Sequence, residues 1–320
     1  MLLSVVVPCY DEAAVLPQLY ARLSAAVERA GHDSELVFVN DGSRDDTWAG
    51  MLALAARDPR LVCVNLSRNH GHQLALTAGL SECRGDLILV IDADLQDPPE
   101  LLPDMLAMLK AEGADVVYGQ RAARPGETWF KRLTAHVFYR LLGLLTDRPP
   151  PADTGDFRLM TRRVVDRFLA MPERHRYVRG MISWLGFKQV PFRYERHPRA
   201  AGETHYTVRR MVRLAWDAVT SLSVKPLAVP LRVGVLCLVT AGGALVAAGW
   251  WGVSRGELPG LGLVTALVLA LAGGQFVALG VLGEYVGRLH VQAQGRPLYL
   301  IDEVVGRAAA GRVRPAREAA

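Results

Sequence analysis

Two long stretches near the C-terminus carry no charged residue: 233–254, between Arg232 and Arg255, and 258–283, between Glu257 and Glu284. A helix needs roughly 20 apolar residues to cross the hydrocarbon core of a bilayer, and both stretches reach that length. Gly242, Gly243, Gly273 and Gly274 would weaken a soluble helix, whereas between membrane helices they permit close backbone approach. The connection Arg255-Gly256-Glu257-Leu258-Pro259-Gly260 is short and turn-rich, so a two-helix transmembrane hairpin is expected. Two buried helices of a soluble domain are the alternative, but adjacent uncharged runs of this length suit that role poorly. The 320-residue chain is 51% apolar with a mean hydropathy of +0.16, an excess that such a hairpin explains.

The flanking charges set the orientation. Arg209, Arg210, Arg213, Lys225 and Arg232 precede the first run, and Arg288, Arg296, Arg307, Arg312, Arg314 and Arg317 follow the second. Basic flanks stay in the cytoplasm, so both ends are expected inside and the hairpin tip outside. The expected location is the cell inner (cytoplasmic) membrane, multi-pass, with the larger domain cytoplasmic. The N-terminal Met-Leu-Leu-Ser-Val-Val-Val-Pro has no basic n-region and no cleavage site, so it is not read as a signal peptide. Just before the first run, Val208, Met211, Val212, Ala215, Trp216, Val219 and Leu222 recur at helical spacing, with Arg209, Arg210 and Arg213 off that stripe. A basic amphipathic helix with a Trp is expected to lie in the lipid interface rather than to pack within the soluble domain. The chain then divides into a cytoplasmic domain (1–205), an interfacial segment (206–231), two spans (232–290, the helices at about 233–254 and 258–283) and a basic cytoplasmic tail (291–320).

The four cysteines, Cys9, Cys63, Cys83 and Cys237, have no CxxC spacing and read as reduced cytosolic thiols. A net charge of +5 suits an anionic membrane surface or a polyanionic substrate. No nucleic-acid motif accompanies it, so nucleic acid is not expected as a partner.

Over the first 120 residues, short β-branched runs alternate with amphipathic ones. Strands are expected at 3–7, 36–39, 61–66, 87–91 and 116–118. Helices are expected at 13–30, after Asp45 or Asp46, at 72–82, and after Asp97-Pro98-Pro99-Glu100, where Asp97 would be the N-cap. Apolar strands alternating with helices indicate an α/β fold, a mostly parallel sheet with helices on both faces. Ligands of such sheets bind at the carboxyl ends of the strands. Polar residues gather there: Pro8-Cys9-Tyr10-Asp11-Glu12, Asn40-Asp41-Gly42-Ser43 and Asp92-Ala93-Asp94-Leu95-Gln96-Asp97.

Neither GxGxxG nor GxxxxGK[ST] is present, so this edge carries carboxylates instead of a glycine-rich phosphate cradle. Carboxylates repel a pyrophosphate unless a divalent cation lies between them, and Mg²⁺ or Mn²⁺ takes oxygen ligands and bridges phosphates. Asp92 and Asp94 can both face such a cation if the chain bends there, with Gln96 as a neutral third ligand. His70, His72 and His136 show no HExxH pattern and read as structural or substrate-edge residues.

These motifs together resemble family 2 glycosyltransferases, and within them the polyisoprenyl-phosphate glycosyltransferases. The likeness continues through Asp153-Thr154-Gly155-Asp156-Phe157-Arg158-Leu159-Met160, Arg179-Gly180-Met181 and Arg199-Ala200-Ala201-Gly202-Glu203-Thr204-His205-Tyr206, and through the pair of spans. The resemblance implies a GT-A fold, a nucleotide-sugar donor and a polyprenyl phosphate acceptor. It implies that Pro8, Tyr10, Glu12, Asp41, Asp92 and Ala93 bind the nucleotide sugar, Asp41 accepting from a base N–H. Asp92, Asp94 and Gln96 would hold the cation. Asp156 would orient the acceptor or act as base, with Asp94 also catalytic; the plain alternative for Asp156 is a structural pairing with Arg158 or Arg162. Arg121, Lys131, Arg132, Arg199 and His205 would meet phosphate, although His205 stands where the family pattern has Lys. Inverting transfer of a hexose, glucose from a UDP-sugar, is the expected reaction; a GDP-mannose or UDP-aminopentose donor is left open, as is a homo-oligomer. A processive polysaccharide synthase is disfavoured by the missing Gln-x-x-Arg-Trp motif, and a non-catalytic sugar-nucleotide binder by the full acidic set.

Overall fold

The computed structural model describes residues 1–121, 154–174, 176–195 and 261–306, with isolated positions between 236 and 254. In chain order the described elements are β1 (Leu2–Cys9), α1 (Leu16–Ala30), β2 (Asp33–Asn40), α2 (Thr47–Ala55), β3 (Leu61–Leu66), α3 (His72–Glu82) and β4 (Leu87–Val90). A 3₁₀ turn (Pro99–Leu101) leads into α4 (Leu102–Glu112), followed by β5 (Val116–Arg121), β6 (Thr154–Thr161), α5 (Arg162–Leu169), α6 (Val178–Trp184), β7 (Gln189–Tyr194), α7 (Leu261–Ala293) and β8 (Ile301–Val305).

The described strands form one sheet of eight, in the order β7-β5-β6-β4-β1-β2-β3-β8. β1 pairs in parallel with both β2 and β4, and β2 with β3. β6 runs antiparallel between β4 and β5, and β8 runs antiparallel against β3. The chain progresses outward from β1 in one direction through β2 and β3 and in the other through β4. The carboxyl ends of these strands therefore border the crevice where open α/β sheets bind ligands.

Side chains alternate across the sheet as a strand requires. Leu3, Val5, Val7, Phe38, Leu89 and Phe157 enter one core layer with Leu19 and Leu23 of α1, Met51 of α2 and Met105 of α4. Val6, Val37, Val39, Ile88, Val90 and Met160 enter the other, with Leu76 of α3, Phe168 of α5 and Met181 of α6. α3 lies close on its face because Gly79 has no side chain: a Cβ there would stand 2.4 Å from Val6 Cγ1 and 2.9 Å from Val39 Cγ2.

Differences from the sequence expectation are local. Asp97 does not cap a helix: it is fully buried and its carboxylate accepts a hydrogen bond from the Tyr194 hydroxyl of β7, while the backbone turns through Pro98 into the 3₁₀ segment. β6 and β7 complete the sheet beyond the five expected strands. The stretch 291–320 is not simply a tail, since Ile301–Val305 within it forms β8. Among the described residues one helix, α7, is long and apolar enough to cross a membrane, over Ala270–Ala293, and none of its apolar window is buried. Most of the first uncharged run, the 255–260 connection, the interfacial segment 206–231 and residues 307–320 lie outside the described residues.

Gly79→Ala sets helix propensity, which favours Ala by about 1 kcal/mol, against overpacking of a filled core, which costs about 1–3 kcal/mol. The β-branched Val6 and Val39 cannot swing away, so overpacking wins. We expect a net destabilisation of about 1–2 kcal/mol, read as a lower thermal midpoint in detergent; an unchanged or higher midpoint would mean that α3 does not pack this closely.

Candidate active site

Sheet register brings the acidic residues together. β4 and β6 pair Val90 with Arg158, and extending that antiparallel register by two residues on each strand sets Asp92 opposite Asp156. α3 begins at His72, directly after the β3–α3 connection, and so points its first residues at the same place. His72 Nε2 lies 3.1 Å from Asp156 Oδ2 and 3.5 Å from Asp92 Oδ1. Gln73 Nε2 donates to Asp156 Oδ2 at 3.3 Å, and its Oε1 accepts the Val178 N–H at 2.9 Å, which ties the start of α3 to the start of α6. From α6, Arg179 grips Asp156 through both oxygens, Nε to Oδ1 at 2.7 Å and Nη2 to Oδ2 at 3.0 Å, and donates to the Thr154 carbonyl at 3.2 Å.

The two carboxylates are thereby driven apart in acidity. Burial pushes Asp156 up, but the Arg179 charge and the hydrogen bonds from His72 and Arg179 outweigh it and hold the group well below the usual carboxylate range. Burial pushes Asp92 up to about 6; His72 opposes this, while Asp156, Asp97 and Asp94 add to it. Asp92 Oδ1 is buried with no hydrogen-bond donor. Burial alone would lower His72, yet the Asp156 hydrogen bond and the Asp92 and Asp156 charges raise it to about 9. Arg158, 4% exposed, is lowered to about 10 chiefly by burial, and donates to the Gly155 carbonyl at 3.0 Å.

One ligand atom each from His72, Asp92 and Asp156 falls within 4.8 Å of the others. Neighbouring ligands about 2.1 Å from an octahedral cation stand roughly 3–4.2 Å apart, so the group is compatible with a shared ion. The donor-free Asp92 oxygen fits that role, and His72 Nε2 fits it once it gives up the proton it donates to Asp156; Asp156 is already committed to Arg179. Asp94 lies outside this group: its Oδ1 accepts the Gln96 N–H at 3.2 Å across the bend at Leu95, whose φ of 58° is left-handed. That conformation costs a non-glycine residue about 1–2 kcal/mol, and here Leu95 is held in it, 2% exposed, in the core.

At the neighbouring strand ends, Tyr10 is 39% exposed beyond β1, Pro8 is buried within it, and Ala93 is buried after β4. Glu12 donates its N–H to Thr47 Oγ1 at 2.8 Å, and its carbonyl accepts from Val15 and Leu16 at the start of α1. Asp41 accepts the His70 N–H at 2.7 Å and the Gly71 N–H at 3.0 Å, one on each carboxylate oxygen, so it orders the loop that delivers His72. Arg121 ends β5 at the same edge of the sheet. Lys131, Arg132, His136, Arg199 and His205 lie outside the described residues. Asp156 pairs with neither Arg158 nor Arg162 by hydrogen bond; its partner is Arg179. Sequence reading offers His72 only as a structural or substrate-edge residue and gives Gln73 and Arg179 no role at the site. The signal for His72 is its place at the start of α3, just beyond the carboxyl end of β3.

Residues 4–169 match the sequence model described as Glycosyl transferase family 2. The chain is 42% identical over 304 residues to an uncharacterized glycosyltransferase, YkcC, of Bacillus subtilis, covering 95% of this chain and 94% of that one. It is 37% identical over 308 residues to a prophage bactoprenol glucosyl transferase homolog of Escherichia coli, covering 95% and 99% of the two chains. It is 35% identical over 307 residues to the bactoprenol glucosyl transferase of Shigella phage SfII, covering 95% and 98%. Among solved structures, mannosyl-3-phosphoglycerate synthase from Rubrobacter xylanophilus aligns with a TM-score of 0.51 at 23% identity, over 69% of this chain and 72% of that one, a likeness of fold.

Asp156→Asn keeps the shape of the side chain but leaves the Arg179 charge without its counter-ion. We expect a loss of about 2–3 kcal/mol in unfolding free energy at pH 7, less than for a fully buried pair because Arg179 stays partly in water. Because the folded Asp156 is depressed in pKa, its contribution is complete above the unfolded carboxylate value near 3.9 and fades as pH falls toward the folded one. The gap between wild type and variant therefore narrows in acid. A loss below about 1 kcal/mol would mean that the pair contributes no more than an exposed one.

Proposed function

The chain belongs to glycosyl transferase family 2, and from that premise we propose that it moves a hexose, glucose, from a UDP-sugar to the phosphate of a polyprenyl lipid at the cytoplasmic membrane. The observation that carries this is the grouping of Asp92, His72 and Asp156 at the sheet edge where the parallel strands end, in a chain whose α7 offers an unburied apolar stretch to a bilayer. The naming of relatives as bactoprenol glucosyl transferases over nearly the whole length supports both the sugar and the lipid.

In this reading Asp92 and His72, with Asp94 and Gln96 on the following bend, would hold a divalent cation. Bound there, it would neutralise charge gathering on the departing diphosphate. A His beside carboxylates suits Mn²⁺ better than Mg²⁺, which is the poorer match for imidazole. Tyr10, exposed at the rim, offers a face for the base, and Asp41 retains acceptor capacity for a base N–H beyond its two loop contacts. Pro8, Glu12 and Ala93 shape the surrounding rim.

Asp156 is a poor proton acceptor, since Arg179 holds its charge in place. That suits the proposed nucleophile: a phosphate monoester, whose second pKa is near 6, is already anionic at pH 7 and needs no strong base. We assign Asp156 to fixing Arg179 beside the reacting groups and to holding His72 in place until a cation takes its nitrogen. Arg121, Lys131, Arg132, Arg199 and His205 are proposed to offset the meeting of two anions, arginine by bidentate contact. A single displacement at the anomeric carbon inverts its configuration. The amphipathic segment around Trp216 and the two apolar runs would keep the site at headgroup height, with both ends of the hairpin in the cytoplasm.

With purified full-length protein in detergent, undecaprenyl phosphate and Mn²⁺, label from UDP-[¹⁴C]glucose is expected in the organic phase as a one-sugar lipid. GDP-mannose should give little product, and chelation should stop transfer until Mn²⁺ is restored. Asp92→Asn is expected to lower the rate by a factor of 100 or more, about 2.7 kcal/mol of transition-state stabilisation. Label in a water-soluble polymer, or transfer indifferent to chelation, would contradict the proposal.

A further inference from the structure

β8 reaches the sheet from beyond the apolar helix, yet its side chains connect to the rim around Tyr10 and Asp41. Asp302 Oδ2 accepts from Asn65 Nδ2 at 3.2 Å, Asn65 Oδ1 accepts from Asn40 Nδ2 at 2.7 Å, and Asn40 Oδ1 accepts the Ser43 N–H at 3.2 Å. Ser43 Oγ then accepts the Asp11 N–H at 3.0 Å, and Asp11 Oδ1 accepts the Arg44 N–H at 2.7 Å. The row crosses β8, β3 and β2 and ends in the loop that bears Tyr10 and Glu12.

Its polarity is forced. Ser43 presents an N–H, so Asn40 must turn its oxygen that way and its nitrogen toward Asn65. Asn65 must then offer its oxygen to Asn40 and its nitrogen outward, where an acceptor completes the row. An ionised carboxylate is such a group. An amide row without that terminus can flip, and each flip would set Asn40 nitrogen against the Ser43 N–H. A second fastening runs beside it: the Leu300 carbonyl accepts the Ser67 N–H at 3.0 Å, the Leu300 N–H approaches His70 Nε2 at 3.4 Å, and Tyr299 and Ser81 share a hydroxyl hydrogen bond at 2.7 Å. The end of α7 is itself pinned, with Gln292 bonded to the Pro172 carbonyl at 2.8 Å and to the Arg174 N–H at 3.2 Å.

We propose that Asp302 is a positioning residue for the nucleotide end of the site, orienting the Asn65 and Asn40 amides and through them the Ser43 turn and the Tyr10–Glu12 loop. This rests on the reading that a nucleotide sugar binds at that rim. Asp302 touches no reacting group, so its loss should weaken donor binding and spare the chemical step.

The test uses full-length protein in detergent with Mn²⁺, UDP as the calorimetric probe, and steady-state transfer. Asp302→Ala is expected to weaken UDP binding and raise the donor KM three- to tenfold, with kcat at saturating donor and the KM for lipid acceptor unchanged. Asp302→Asn, whose amide oxygen can still face Asn65, should restore most of the affinity. Asn65→Ala should show the same donor-selective loss, with little added by combining it with Asp302→Ala. Glu303→Ala, on the same strand but outside the row, should bind UDP as wild type does. If Asp302→Ala does not fold, the Asn65→Ala result decides. Unchanged UDP affinity, a fall in melting temperature alone, equal effects on donor and acceptor, or failure of Asp302→Asn to rescue would each overturn the inference. Absence of UDP binding by the wild type would instead overturn the nucleotide-sugar reading on which it stands.

Discussion

The contact between the buried Asp156 carboxylate and the half-buried Arg179 guanidinium is the constraint on which the rest of the site depends. Removing two charges from water costs several kcal/mol per ion, and their attraction offsets this only where the remaining lone pairs and donors are also satisfied. Here they are: the carboxylate receives both arms of Arg179, His72 and Gln73, and Arg179 also reaches the Thr154 carbonyl. β6, α3 and α6 are thereby joined at one point, in a place where loops alone would be free to drift. Such a pair adds little to stability over an apolar replacement, but it fixes geometry, because each partner is costly to leave alone.

With Asp156 held ionised, its neighbour carries the opposite tendency. Asp92 is raised toward neutrality and keeps a donor-free buried oxygen. Carboxylates whose environments drive their acidities apart have separate tasks. The saturated one orients and the unsaturated one is available to a ligand. The same division explains why a residue at the position of a general base can be so poor a base in a site whose proposed acceptor arrives already charged.

The parallel half of the fold was legible because its signals are local. Apolar strand runs fixed β1 to β4 within a few residues, and the 61–66 and 72–82 spans coincide with β3 and α3. Asp92 was also legible, as a polar residue at the end of an apolar run, whereas Asp156 was reached only through the family resemblance. What escaped depends on pairing between distant segments. β6 enters between β4 and β5 from more than 30 residues further along the chain, and nothing near Asp156 in sequence announces Arg179 as its partner. His72 read as structural or substrate-edge; the β3–α3 connection, tied to Asp41, brings it to the edge and against both carboxylates. Asp97 resembled an N-cap because capping is a local pattern; Tyr194 of β7, far along the chain, claims its carboxylate instead. β8 was hidden for a similar reason: a five-residue strand following a long apolar helix, in basic surroundings, has the composition of a tail.

We propose that Asp92 and His72 together form the cation end of the site, steadied by Asp156 and Arg179. Pulsed electron paramagnetic resonance of Mn²⁺ bound to the purified protein with UDP tests this directly, because a coordinated imidazole couples its ¹⁴N nucleus to the metal. A directly bonded nitrogen signal that disappears in His72→Gln is expected. Bound Mn²⁺ with no nitrogen coupling in the wild type, or with a signal unaltered by that substitution, would contradict it.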